Sequence, residues 1–215
     1  MDIQAIYCFL FFLCIGLILT FCEFLYKKGL HVEYTRKLAH SLSTLSCLIV
    51  PIIFTTHWYA LLITIVSFTV LYYGQRKQLI NSVHSVKRKT LGAYFLPISF
   101  GATYYAALLL QNNLFFNLPI VVLAISDPLA CCFGKTFKSK ILKSGKTMMG
   151  TSVFFLSTFI ICSAFLLSQS LGINAIGIAI IISAIVSAVE LFSPNGSDNL
   201  TIPLSTIAAL LLFVR

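Results

Sequence analysis

Residues Ile3 to Tyr26 read IQAIYCFLFFLCIGLILTFCEFLY, an apolar run in which Glu23 is the one formal charge. A helix needs about 20 apolar residues to cross the hydrocarbon core of a bilayer, so this stretch predicts a first membrane span. It lacks the pattern of a cleaved signal peptide. No basic segment precedes it, no small-residue cleavage site ends it, and its first positive charges, Lys27 and Lys28, follow it. Comparable apolar runs recur at Leu38–Phe54, Trp58–Tyr73, Leu91–Leu110, Leu118–Phe133, Thr151–Leu167, Ile173–Phe192 and Leu200–Val214. A chain of 215 residues has room for about eight spans and little else, so residues 1–215 are predicted to form one all-α, polytopic membrane helix bundle. Composition agrees, with 59% hydrophobic and 10% charged residues against about 25% charged in soluble domains, and a mean hydropathy of +0.97.

The charges between the runs alternate. Lys27, Lys28, Arg36 and Lys37 follow the first run, whereas Thr55 to His57 carries no Lys or Arg. Gly74 to Thr90 holds Arg76, Lys77, Lys87, Arg88 and Lys89, and Gln111 to Asn117 again holds none. Lys135, Lys138, Lys140, Lys143 and Lys146 follow the fifth run, and Ser168 to Gly172 is free of them. By the positive-inside rule the odd-numbered connections are cytosolic and both termini lie on the other side. Topology therefore accounts for the net charge of +9, and no nucleic-acid partner is expected. The acids follow no such rule, yet Glu23, Glu33, Asp127, Glu190 and Asp198 all map to the cytosolic side. A shared polar site explains that clustering; ordinary interfacial charge is the alternative for Glu23 and Glu33. The seven cysteines show no CxxC spacing and mostly sit in apolar runs, as small packing residues do.

Chemistry concentrates in Ser126 to Gly150, SDPLACCFGKTFKSKILKSGKTMMG. Asp127 lies inside an apolar run, where a charge costs about 2.5–3.5 kcal/mol at mid-membrane. Asp followed by Pro128 reads as an N-cap and first helical residue, predicting that the fifth helix breaks and restarts there. Two glycine-lysine-threonine triplets follow, at Gly134 and Gly145. Neither is a P-loop, because the glycine that motif requires five positions earlier is Leu129 in one case and Lys140 in the other. Phosphate binding here would rest on lysine charges and glycine backbone. Glu190, Asp198 and Asn199 flank a tight turn, Ser193 to Ser197, and are oxygen ligands of the type Mg²⁺ takes; N-capping of the last helix is the other reading of Asp198. Arg36 and His40 share a helical face with Thr44 a turn on. Membrane anchoring explains Arg36 and Lys37, and His40 reads equally as a packed or a functional side chain. Arg88 and Lys89, in the run before Gly92, are further phosphate-binding candidates.

The series RKLAH, KRKTLG, SDPLACCFGK…GKTMMG and VELFSPNGSDNLTIP resembles the dolichol kinase and phytol kinase group of polytopic membrane enzymes, which includes CTP-dependent diacylglycerol kinases and is related to the phosphatidate cytidylyltransferases. The resemblance covers about 170 residues in order. It implies CTP as phosphoryl donor, Mg²⁺ dependence and a lipid-alcohol acceptor such as phytol, a polyprenol or diacylglycerol. By motif it carries importance to Asp127, Gly134, Lys146, Gly150, Glu190, Asp198 and Asn199. Met149 departs from the glutamate often found before the final glycine. The expected enzyme is a lipid kinase at the cytosolic face of the cell membrane in a bacterium, or of the endoplasmic reticulum in a eukaryote. Asp127, Glu190, Asp198 and Asn199 would serve the metal, and Lys146, Lys135, Thr147, Arg88 and Lys89 the phosphates, with Arg36, Lys37 and His40 toward the lipid. A cytidylyltransferase needs the same metal and basic loops and stays open. A small anion transporter is disfavoured by polar groups gathered at one face and by the lack of an evident repeat.

Overall fold

Backbone in a bilayer satisfies its own hydrogen bonds, and every apolar run becomes helical. The computed structural model describes residues 3–77, 81–84, 91–169 and 174–214. Its helices are α1 (Ile3–Lys27), α2 (Val32–Ser46), α3 (Val50–Ile53), α4 (Trp58–Arg76), α5 (Asn81–His84), α6 (Gly92–Leu109), α7 (Leu114–Thr136), α8 (Met148–Ser168), α9 (Asn174–Phe192) and α10 (Asp198–Phe213), with 3₁₀ turns at Cys47–Ile49 and Lys143–Gly145. No strand forms among the described residues; Ile141 and Thr147 make one isolated bridge.

Among the described residues five helices, α1, α4, α7, α8 and α9, are long and apolar enough to cross a membrane, and α10 is a shorter apolar helix. Of the eight expected spans, the second departs most from its predicted form. Val32 rather than Leu38 begins α2, with the His31 side chain accepting from Glu33 N at 3.2 Å. It gives way to a 3₁₀ turn at Cys47–Ile49 before the short α3, where Pro51 has no N–H to continue the α-helical ladder. Arg36 and His40 share a helix, as their spacing predicted, and Lys37 lies between them in α2.

At the centre stands α7. Two-thirds of its apolar window (67%) is buried, against 17% for α1 and α4. It packs against α8, α2, α10 and α6. Phe116, Leu118, Ile120 and Leu123 are fully enclosed, whereas Phe9, Leu13, Leu17 and Phe24 of α1 point outward as a lipid-facing surface. The predicted break at Asp127–Pro128 does not occur: α7 runs through Pro128 to Thr136. Pro128 removes the donor that would reach Ala124 O, and Ser41 Oγ from α2 supplies one instead at 2.6 Å. His40 Nε2 lies 3.3 Å from the adjacent Leu123 O. The proline is thus tolerated by hydrogen bonds from a neighbouring helix, which bilayer-embedded backbone requires. The same bonds dock α2 on α7.

Candidate functional site

Glu33, Lys37, His40 and Thr44 recur at helical spacing and form the buried polar face of α2. That face meets Asp127. Lys37 is 6% exposed and Asp127 2%, and Lys37 Nζ donates to Asp127 Oδ2. His40 Nε2 stands 3.7 Å from the same oxygen. A buried charge is tolerated when it is paired and hydrogen-bonded, so Lys37 and His40 explain how a carboxylate persists inside α7. Lys37 was expected to anchor at the membrane face or to face the lipid, not to pair with Asp127; the polar repeat Glu33, Lys37, His40, Thr44 was the available signal for that buried role.

The second half of the site comes from the α7–α8 connection and the α9–α10 hairpin. Leu142 N donates to Lys146 O at 2.7 Å and Met148 N to Lys140 O at 2.8 Å, closing a narrow loop. Ser144 and Gly145 adopt positive φ at its tip, a conformation cheap for glycine. The loop projects Lys146 between two acids, 2.6 Å from Glu190 Oε1 and 2.9 Å from Asp198 Oδ2. Burial opposes the Lys146 ammonium, but Asp198 and Glu190 outweigh it and raise its pKa above the ordinary lysine value. Positive φ at Asn195 and Gly196 turns the chain tightly enough to set Glu190 and Asp198 side by side.

Asp127, Glu190, Asp198, Lys37 and Lys146 line one cleft of about 130 Å³ with Arg36 and Lys135. Glu33 organises the rim, taking Arg36 Nη2 at 2.9 Å and lying 3.4 Å from Lys135 Nζ. Four cations and three carboxylates line this space, a net of +1 suited to an anion. Its volume falls below the roughly 300 Å³ at the low end of drug-sized sites. It fits phosphate groups rather than a whole nucleotide.

Other candidates are placed differently. Asn199 Nδ2 donates to Gly92 O at 2.7 Å, tying α10 to the start of α6 outside the cleft. Arg88 and Lys89 lie outside the described residues. Gly134 and Gly150 line the cleft, but they also form the crossing of α7 and α8. A Cβ on Gly134 would come 2.6 Å from Thr147 Oγ1, and one on Gly150 would come 2.9 Å from Ala130 O. Thr147 caps α8 by accepting from Gly150 N at 3.1 Å. Close approach of backbone is what these glycines provide. We expect Gly150→Ala to lower stability by about 1–3 kcal/mol, the usual cost of overpacking, measurable as an earlier thermal transition in detergent.

The donor set was also expected to serve Mg²⁺. Among the described residues no three His, Cys, Asp or Glu side chains converge as a metal cage. Asp127 is occupied by Lys37, and Lys146 sits between the other two acids, so the three carboxylates do not form one coordination sphere. A smaller set does fit. Glu190 Oε2 is buried without a hydrogen-bond partner, and Asp198 adjoins it across Lys146. One or two carboxylates, with water and phosphate oxygens, are what Mg²⁺ commonly takes.

No family profile matches this chain, and no solved structure matches it. Phytol kinase from Synechocystis sp. is 27% identical over 198 residues, spanning 89% of this chain and 84% of that protein. This multi-pass membrane protein is thus similar along most of its length to a phytol kinase.

Proposed function

We propose that the chain is a membrane lipid-alcohol kinase that transfers the γ-phosphate of CTP to a lipid hydroxyl at the cytosolic face. The observation that carries the proposal is the pairing of two differently held carboxylate groups around one small cationic cleft. Asp127 is fixed by Lys37 and His40 within the bundle, and Glu190 and Asp198 are held apart by Lys146 at the mouth. Phosphoryl transfer is mostly positioning and charge stabilisation, and this arrangement supplies both.

In this reading Lys146, Lys135 and Arg36 take the triphosphate oxygens. Glu190 and Asp198 would hold the Mg²⁺ that accompanies the nucleotide, which supplies further charge neutralisation. The lipid oxygen attacks the γ-phosphorus, the bond to the β–γ bridging oxygen breaks, CDP leaves, and the hydroxyl proton passes to Asp127. The similarity to phytol kinase supports an alcohol acceptor. Purified protein in vesicles should be given a panel of lipid alcohols and lipid phosphates with CTP labelled at either the γ- or the α-phosphate. Label in lipid from the γ position is expected. Label from the α position would replace kinase with cytidylyltransferase chemistry, and transfer from neither would reject both.

A further inference from the structure

At the rim of the charged cleft a further carboxylate stands behind the cations. Glu33, in the first turn of α2, is only 9% exposed. Its backbone is held by the cap of that helix, where Glu33 N donates to His31 Nδ1 at 3.2 Å. Its side chain is held by two cations. Arg36 Nε and Nη2 both donate to Glu33 Oε2, at 3.1 and 2.9 Å, and Oε1 lies 3.4 Å from Lys135 Nζ in the last turn of α7. An ordinary interfacial acid would face water; here both carboxylate oxygens face cations that line the cleft. Arginine presents its donors as a rigid planar fork. With Nε and one Nη2 hydrogen given to Glu33, the Nη1 group and the other Nη2 hydrogen remain for a second oxyanion. Arg36 also lines a larger, mostly apolar cavity of about 490 Å³, so its side chain stands at the boundary of two spaces.

We infer that Glu33 is a positioning residue: it holds Arg36, together with Lys135, as a preset clamp for the phosphate oxygens of the anion that enters the cleft. The inference rests on the kinase reading only for naming that anion as the triphosphate of a nucleotide. Glu33 touches no phosphate itself and acts through the arginine. Three roles for this acid give different forecasts. If it acted by charge alone, it would repel an anion, and its removal would tighten binding. If it served only the dipole at the start of α2, its removal would change stability and leave binding alone. As a clamp it predicts weaker binding on removal, although the cleft then becomes more positive. The reason is entropic, because a long side chain freed from Glu33 has to be ordered by the ligand instead.

The experiment uses the full chain in detergent and inorganic triphosphate as the probe, with affinity measured by calorimetry at fixed free Mg²⁺. Glu33→Ala is expected to weaken binding roughly tenfold, within the range found for residues in direct contact. Glu33→Gln should lose less, because its amide oxygen can still accept from Arg36. A double-mutant cycle with Arg36→Gln tests whether the effect runs through the arginine. Arg36→Gln alone should weaken binding at least as much, and adding Glu33→Ala to it should cost nothing further. Thermal melts of the same preparations separate stability from affinity, and if Glu33→Ala does not fold, Glu33→Gln carries the cycle with a smaller loss. Unchanged or tighter binding in the Glu33 variants would overturn the inference, as would additive losses in the cycle or a wild-type chain that does not bind triphosphate. With CTP as donor, the same variants should raise KM more than they lower kcat, the mark of a lost ground-state grip. Coupled loss of triphosphate binding, with no label reaching any lipid alcohol, would uphold the clamp and reject the kinase reading. Label transfer to an alcohol, with triphosphate affinity unchanged in Glu33→Ala, would do the reverse.

Discussion

Asp127→Asn is expected to lower phosphoryl transfer by roughly 10²–10⁴-fold, the range associated with loss of a positioned proton acceptor. Two effects will be mixed in that variant. Lys37 is buried against Asp127, and removing one member of a buried ion pair commonly costs about 3–5 kcal/mol. The double variant Asp127→Asn with Lys37→Met separates them. It replaces the buried pair by groups of similar volume that carry no charge, so much of the lost stability should return while turnover does not. Thermal unfolding and labelled-CTP assays on the same preparations give both readouts. Restored turnover in the double variant would show that Asp127 serves packing and charge balance only.

Lys146→Met should have the other large effect, on stability and activity together. The lysine lies within 3 Å of both Glu190 and Asp198 (2.6 and 2.9 Å), so its loss leaves two buried carboxylates facing each other. Uncompensated buried charge of that kind costs about 3–5 kcal/mol. Adding Glu190→Gln and Asp198→Asn should recover most of the stability, with activity still absent because phosphate contacts and acid groups are gone. If Lys146→Met alone retains both a normal melt and normal turnover, the lysine is not the bridge between the loop and the hairpin. The sign of its pH dependence follows from its raised pKa. A lysine whose folded pKa is raised contributes fully below the ordinary value of about 10.4 and loses its contribution only at higher pH. Any activity change between about pH 6 and 9 must therefore originate in another group.

Much of the architecture was legible in the residues. Apolar runs separated by polar connections defined the helices, because each span must be long enough to cross the bilayer and must close its own hydrogen bonds. The acids at Asp127, Glu190 and Asp198 also stood out, since ionised groups are rare in such segments. Two local rules misled at proline. Asp127–Pro128 read as a helix start, yet α7 continues, because Ser41 and His40 from another helix serve the carbonyls near the proline. Pro51, inside a run read as one span, stands in the first turn of α3, which the 3₁₀ turn Cys47–Ile49 separates from α2.

By itself, then, the sequence determined that this is a multi-pass helical membrane protein, and which side chains are too polar to be there without a reason. Tertiary structure decided what those side chains do for one another. Lys37 is 90 residues from Asp127 and Lys146 is 52 from Asp198, so no local periodicity pairs them. Nor does any single helix encode the apolar cavity, which is lined mainly from α1, α2, α4 and α6 and also by Val83, Ile120 and Asn199. Glycine at 134 and 150 illustrates the difference most directly. As letters they suggested phosphate binding, while in space they are where two helix backbones approach too closely to admit a side chain.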